Sequence, residues 1–312
     1  MAATPEIELR EVRAVRGGYE ALIDVNLRLY AGETLFAMGG AGSGKSVLIK
    51  TAAGIAQPSE GEVLYRGKSL ARMSEREEAA FRRASGFVFQ DAALWANQSL
   101  YDNLALPARL HMGEWGKAEL DRAVRRAAEV VGYGDDLRAR PAELSAGERK
   151  LVGLARALVL DPELLFMDDP TAELDEESAE RVSDIVDALK ARGRSVFVTT
   201  AFSELASRCA DRIAVLIGGK VAALGSYAEA AAWTDHAVRS VTGRLKSRAA
   251  APKQDWEEGL AGAWAAALAE DSAPLPDAAS PGGERGGEAL GDIINDVAGA
   301  EGGPDGENKD GS

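Results

Sequence analysis

Residues 7 to about 225 predict an α/β fold, a mostly parallel sheet flanked by helices. Three observations carry this expectation. Strand-like and helix-like patterns alternate along the whole stretch. One apolar run, TLFAM at 34–38, ends in glycines and leads into a helix. A second, LLFM at 164–167, ends in aspartate. With 46% hydrophobic residues in 312, the chain has enough apolar material for a sizeable core.

Taken in order, residues 7–12 and 22–29 read as strands, since IDVNLRL alternates apolar and polar positions as a half-buried strand does. Residues 34–38 form a buried strand, and a helix runs from Lys45 to about Ala53, ended by Gly54. Polar, Ala- and Arg-rich helices follow at 75–83 and 117–131. The sequence between them, FVFQDAALWANQSLYDNLALPARLHM, is too irregular for one long element. A helix at 147–160, a buried strand at 164–167, a helix at 176–191 and a strand at 195–200 come next. RIAVLIGGKVAALG then makes a hairpin turning at Gly218 and Gly219. In such folds ligands bind at the carboxyl ends of the parallel strands.

After Gly225 the character changes. Residues 227–244 look helical, SRAAAPKQ reads as a linker, and a second helical stretch carries Trp256, Leu260, Trp264 and Leu268 on one face. From Asp271 onward Gly, Pro, Asp and Glu dominate, so residues 271–312 are expected to be a disordered acidic tail.

Charge narrows the partners. The net charge is −14, and the last 42 residues hold ten acidic and two basic side chains, which leaves −6 on residues 1–270. With no basic block, a nucleic-acid partner is not expected, because phosphate contacts need clustered Lys and Arg. Cys209 is the single cysteine, which suits a reducing compartment. The N-terminal stretch has charges where a signal peptide needs an apolar core, and no run reaches the roughly 18 apolar residues of a membrane span. A role at a membrane would therefore need another subunit to cross it.

Residues 39–46 read GGAGSGKS and fit G-x-x-x-x-G-K-[ST] between a strand and a helix, the setting of a phosphate-binding loop. Gly39, Gly42 and Gly44 allow the backbone to curl so that N–H groups of the loop, with Gly40, Ala41, Ser43 and Val47, point at phosphate oxygens. The helix N-terminus adds partial positive charge, Lys45 reaches the β- and γ-phosphates, and Ser46 offers an oxygen to Mg²⁺. Asp168, at the end of the 164–167 strand, is the carboxylate expected to hold the Mg²⁺ shell. A Mg²⁺-bound nucleoside triphosphate is thus the expected ligand.

Between these motifs lies ELSAGERKLVGLARAL, at 143–158. Here the sequence resembles the ABC ATPase family, whose signature reads LSGGQ before a helix ending in an ARAL-like stretch. The resemblance covers residues 7 to about 226. It implies a nucleotide-binding domain over 1–235 with a helical subdomain near 88–160, followed by a helical extension over 236–270. It also implies that Ser145, Ala146 and Gly147 close over ATP held by a second subunit. Gln90 matches the glutamine that contacts the metal and communicates with a membrane permease, and Asp175 matches an aspartate at the dimer interface. The resemblance implies a peripheral place on the cytoplasmic face of a membrane, bound to that permease.

Three positions depart from the family pattern. Asp169 stands where a catalytic Glu orients the attacking water, and Ala201 stands where a His contacts the γ-phosphate. The aromatic that stacks on adenine, 29 residues before the loop lysine, aligns with Arg16; Tyr19 lies three residues on, and either can serve. Asp for Glu withdraws the carboxylate by about 1.5 Å, and misplacement near 1 Å can cost ~10²-fold in rate. Sound ATP binding with slowed hydrolysis is the expectation; the alternative is that Asp169 reaches the water through a small backbone shift and turnover is ordinary. A homodimer is expected, a heterodimer in which the partner completes one competent site is the second option, and an ATP-binding switch is the alternative role. The stretch Ala92, Ala93, Leu94, Trp95, then Leu100, Asp102, Asn103, Leu104 and Pro107 resembles the ATPases of Mce/Mla-type lipid transport. That subgroup resemblance implies lipid movement through a bacterial envelope, with the ATPase of another importer or exporter as the alternative.

Overall fold

The computed structural model describes residues 4–113, 115–243 and 245, so the Trp256/Trp264 stripe and the acidic tail lie outside the described residues. Strands β1 (Ile7–Arg16) and β2 (Tyr19–Leu29) come first, then β3 (Thr34–Met38) and helix α1 (Lys45–Ala52). Next come β4 (Glu60–Tyr65), β5 (Lys68–Ser69), α2 (Glu75–Ala84) and β6 (Ser85–Val88). Helices α3 (Leu100–His111), α4 (Lys117–Val130) and α5 (Ala146–Leu158) precede β7 (Leu164–Asp168) and α6 (Glu176–Ala191). The series closes with β8 (Ser195–Thr200), α7 (Ser203–Cys209), β9 (Arg212–Ile217), β10 (Lys220–Ser226), α8 (Tyr227–Ala232) and α9 (His236–Thr242).

Six strands make the main sheet in the order β10-β9-β3-β8-β7-β6. From β9 to β6 all pairings are parallel, and β10 folds back antiparallel on β9. A parallel sheet covered on both faces needs strands that are apolar throughout, and every residue of β3, β7 and β8 is buried. Successive side chains divide between the faces. Phe36 and Met38, Leu165 and Met167, and Val196 and Val198 enter one core with α3 to α7. Leu35 and Ala37, Leu164 and Phe166, and Phe197 enter the other, with Leu48, Ile49 and Ala52 of α1.

That second core is roofed by a sheet that the sequence reading did not separate from the first. Strands β2-β1-β4-β5 form an antiparallel sheet whose inward residues include Leu9, Val12, Leu22, Val25 and Leu27. Helix α1 is therefore held between two sheets. The expected strands at 7–12 and 22–29 extend to a hairpin tip at Gly17 and Gly18, both at positive φ.

The stretch at 87–112 is indeed no single long element: it holds the end of the four-residue strand β6 and the twelve-residue helix α3, whose N-terminus Ser99 caps by accepting from the Asp102 amide. One expectation needs correction. The single helix expected at 227–244 is two. Trp233 adopts extended backbone after α8, and Asp235 caps a new helix through the Val238 amide at 3.0 Å.

Candidate functional site

The loop between β3 and α1 leaves the carboxyl edge of the main sheet at its centre, between β8 and β9. Gly44 caps α1 at φ 101, and a β-carbon there would sit 2.3 Å from the Ala21 carbonyl oxygen of β2. Only glycine lets the loop turn this tightly against the roof sheet. Gly39 is equally confined, by the Leu216 carbonyl and the Ser43 hydroxyl at 2.5 Å each, whereas Gly40 faces open space. The Lys45 ammonium donates to the Gly39 and Gly40 carbonyls at 2.7 and 2.9 Å, which lays its side chain along the loop. Burial draws the Lys45 pKa below its ordinary value, opposed by the Asp169 and Asp168 carboxylates.

Asp168 ends β7, and Asp169 follows it at the start of the next loop. Asp168 is almost fully buried, and its Oδ1 accepts from Ser46 Oγ at 3.0 Å and Thr199 Oγ1 at 2.8 Å. Its Oδ2 is buried and has no partner among the described residues. A serine hydroxyl beside a carboxylate with an unsatisfied oxygen is a fitting donor set for a hard divalent cation. Asp169 takes φ 49, and its amide donates to the Thr199 carbonyl at 2.8 Å while its Oδ1 accepts from Thr200 Oγ1 at 3.2 Å. Burial raises the Asp169 pKa, against the Thr200 hydroxyl and the Lys45 and Lys150 charges. Gln90 is exposed just beyond β6, at the same sheet edge as Asp168, because Val88 pairs with Met167.

The structure thus gathers residues 39–46, Asp168 and Asp169. A cavity of about 620 Å³ beside the loop is lined by Gly39, Ala41, Ser43, Ala201 and Phe202, with Ser240 of α9 across it. Arg16 and Tyr19 pair across the β1–β2 hairpin, and Tyr19 is 81% exposed, two residues from the Ala21 carbonyl that abuts Gly44. Ser145 is engaged with Glu148 rather than with the loop: the Glu148 amide donates to Ser145 Oγ at 3.2 Å and the Ser145 amide to Glu148 Oε2 at 2.7 Å. Ala146 and Gly147 start α5 beside it, and Val47 lies in the first turn of α1.

Four residues absent from the sequence expectations support this arrangement. Thr199 and Thr200 bind the two aspartates, and the buried Lys150 of α5 donates to the Ala172 carbonyl in the loop after β7. Arg156, one turn from the end of α5, donates to the Ala93 and Ala92 carbonyls at 2.6 and 2.7 Å. Both alanines have positive φ, and Ala92 nests against Gly153. The one visible signal was the pair of hydroxyl residues closing β8; Lys150 and Arg156 look in sequence like ordinary surface cations of a helix.

Residues 22–172 match the ABC transporter family model. An ABC transporter ATP-binding protein of Methanocaldococcus jannaschii is 36% identical over 220 residues, covering 69% of this chain and 97% of the relative. The nickel import ATP-binding protein NikO of Rhodobacter capsulatus is 36% identical over 239 residues, covering 74% of this chain and 93% of its own length. Among solved structures, a dimeric post-hydrolysis ATP-binding cassette with ADP and inorganic phosphate bound superposes with a TM-score of 0.65 at 28% identity, covering 70% of this chain and 98% of that one.

Proposed function

Because this chain belongs to the ABC transporter ATP-binding family and is an ABC-type ATPase, we propose that it is a transport motor of reduced hydrolytic rate that drives a separate membrane permease. The observation that carries this reading is the convergence of Lys45, Ser46, Asp168 and Asp169 at one sheet edge, with Asp169 where a longer carboxylate is usual. Amides of Gly40, Ala41, Gly42, Gly44 and Lys45 and the Lys45 ammonium cradle the phosphates, and Tyr19 or Arg16 stacks on the base. Ser46, Asp168 and Gln90 would hold Mg²⁺, which neutralises charge on the phosphate oxygens. Asp169 accepts the proton of the attacking water or orients it. Its burial raises its basicity, but its short side chain leaves it distant from the water.

Two copies sandwich two nucleotides, with Ser145, Ala146 and Gly147 of each facing the phosphates held by the other. A homodimer is favoured by the dimeric cassette to which the fold is similar. Among the described residues no helix is long and apolar enough to cross a membrane, so the permease supplies the span and the motor sits peripherally on its cytoplasmic face. The resemblance of the segment from Ala92 to Pro107 to Mce/Mla-type ATPases supports lipids as cargo, and within it Trp95, 43% exposed, is available to a permease helix. The likeness to a nickel importer supports a second reading, import of a small solute.

The test is steady-state ATP hydrolysis by the complex with its permease, comparing wild type with Lys45→Ala, Asp169→Asn and Asp169→Glu. Measurable turnover lost in Lys45→Ala and Asp169→Asn, and raised about tenfold or more in Asp169→Glu, is expected. Full turnover in Asp169→Asn would remove Asp169 from the mechanism. Negligible wild-type turnover with tight ATP binding would move the protein to the class of ATP-binding switches.

A further inference from the structure

Two of the three departures from the family pattern, Asp169 and Ala201, meet at one residue. Thr200 closes β8, is fully buried, and stands between Asp169 and Ala201. Its hydroxyl oxygen accepts from the Phe202 amide at 3.0 Å, and its single proton is directed to Asp169 Oδ1 at 3.2 Å. An ionised carboxylate only accepts, so Thr200 must be the donor. The Asp169 main chain is tied to the same strand by its amide bond to the Thr199 carbonyl. Its left-handed φ of 49 is costly for a non-glycine residue and persists only where its surroundings hold it.

We infer that Thr200 is the positioning residue that aims the short Asp169 carboxylate at the water. Three features make this more than a packing contact. The hydroxyl is buried, so solvent does not replace it. The Phe202 amide occupies one of its lone pairs and restrains its rotation. Ala201 carries no polar atom that would share the task, and it lines the open cavity beside the loop. Thr199 performs the parallel service for Asp168, so β8 presents two consecutive hydroxyls to two consecutive carboxylates. This inference rests on the reading of Asp169 as the residue acting on the water.

The test uses the full chain in complex with its permease. Thr200→Val, and Thr200→Ala as a second variant should valine fail to fold, remove the hydroxyl; Thr200→Ser retains it. The expected result is a fall in kcat of about tenfold or more for Val and Ala. KM for ATP, and the affinity for a fluorescent ATP analogue in the presence of Mg²⁺, stay within about twofold of wild type, and Ser recovers most of the rate. In an Asp169→Asn background, Thr200→Val should have no further effect, because the acceptor it serves is already disabled. The inference is overturned if Thr200→Val keeps wild-type kcat, if its loss is undiminished in the Asp169→Asn background, or if Ser fails to restore the rate. A large loss in Asp169→Asn with none in Thr200→Val defeats this inference alone. Unimpaired turnover in Asp169→Asn defeats the underlying reading and this inference with it.

Discussion

Replacing three loop glycines one at a time by alanine should give a graded series, because each occupies a different steric situation. Gly40 faces open space, without a left-handed φ, so Gly40→Ala costs nothing in contacts and slightly restricts the unfolded chain. Gly42 is at φ 72 with nothing within 4 Å, so Gly42→Ala bears only the left-handed penalty, about 1–2 kcal/mol. Gly44 is at φ 101 with its added β-carbon 2.3 Å from the Ala21 carbonyl oxygen, a backbone atom of a paired strand that cannot swing away. There the strain is joined by an overpacking cost of about 1–3 kcal/mol, roughly 2–5 kcal/mol in all. At about 2–4 °C per kcal/mol for a domain of this size, thermal unfolding without nucleotide should move by under ~2 °C for Gly40→Ala. It should fall by about 2–8 °C for Gly42→Ala and by about 4 °C or more for Gly44→Ala. Equal melting temperatures for Gly40→Ala and Gly44→Ala would refute the claim that the roof sheet shapes the loop.

Further outcomes follow from the same geometry. Tyr19→Ala should weaken ATP binding about fivefold or more while leaving kcat little changed, if the hairpin tip stacks on the base; titration with a fluorescent ATP analogue decides it, with Arg16→Ala as the comparison. Arg156→Met strands the carbonyls of Ala92 and Ala93 and should cost about 2–3 kcal/mol, visible as a fall of several degrees in melting temperature. Glu77 is held at a pKa of about 2, from 4.5, by the Lys68 ammonium and by the Ser74 amide and hydroxyl that cap α2. Its folded pKa is depressed, so its contribution is complete above 4.5 and is lost as pH falls toward 2. The difference in melting temperature between wild type and Glu77→Gln should shrink from pH 6 to pH 3.

The residues most easily read in advance were those whose local pattern and tertiary role agree. Strands β3 and β8 and helix α6 appear at the bounds their apolar runs and breakers suggest, because each carries its own signal of burial or amphipathicity. Strand β6 was hidden because SGFV is too short for a period to emerge, and its strand state comes from pairing with β7. Helix α3 was masked by Pro107 in its interior, although Ser99 signals its start. The antiparallel pairing of the four roof strands depends on which hairpins meet, and β4, with Gly61 packed on the Arg10 and Glu11 carbonyls, shows little strand character of its own. In the site, the phosphate loop is contiguous and was legible. The contacts that orient the two aspartates join residues 31 and 122 positions apart, and only the order of β3, β8 and β7 brings them together.

That strand order has a consequence for how such a protein changes over generations. The groups expected to grip the phosphates belong to the loop after β3, while the hydroxyl proposed to aim Asp169 belongs to the end of β8. A drift of one methylene or one hydroxyl at the second location can alter the speed of the cycle and leave nucleotide occupancy at cellular concentrations untouched. Tempo and occupancy are then separate traits, inherited through separate strands, and a lineage can settle into a slow, persistently loaded motor by a single substitution without passing through a form that no longer binds its fuel.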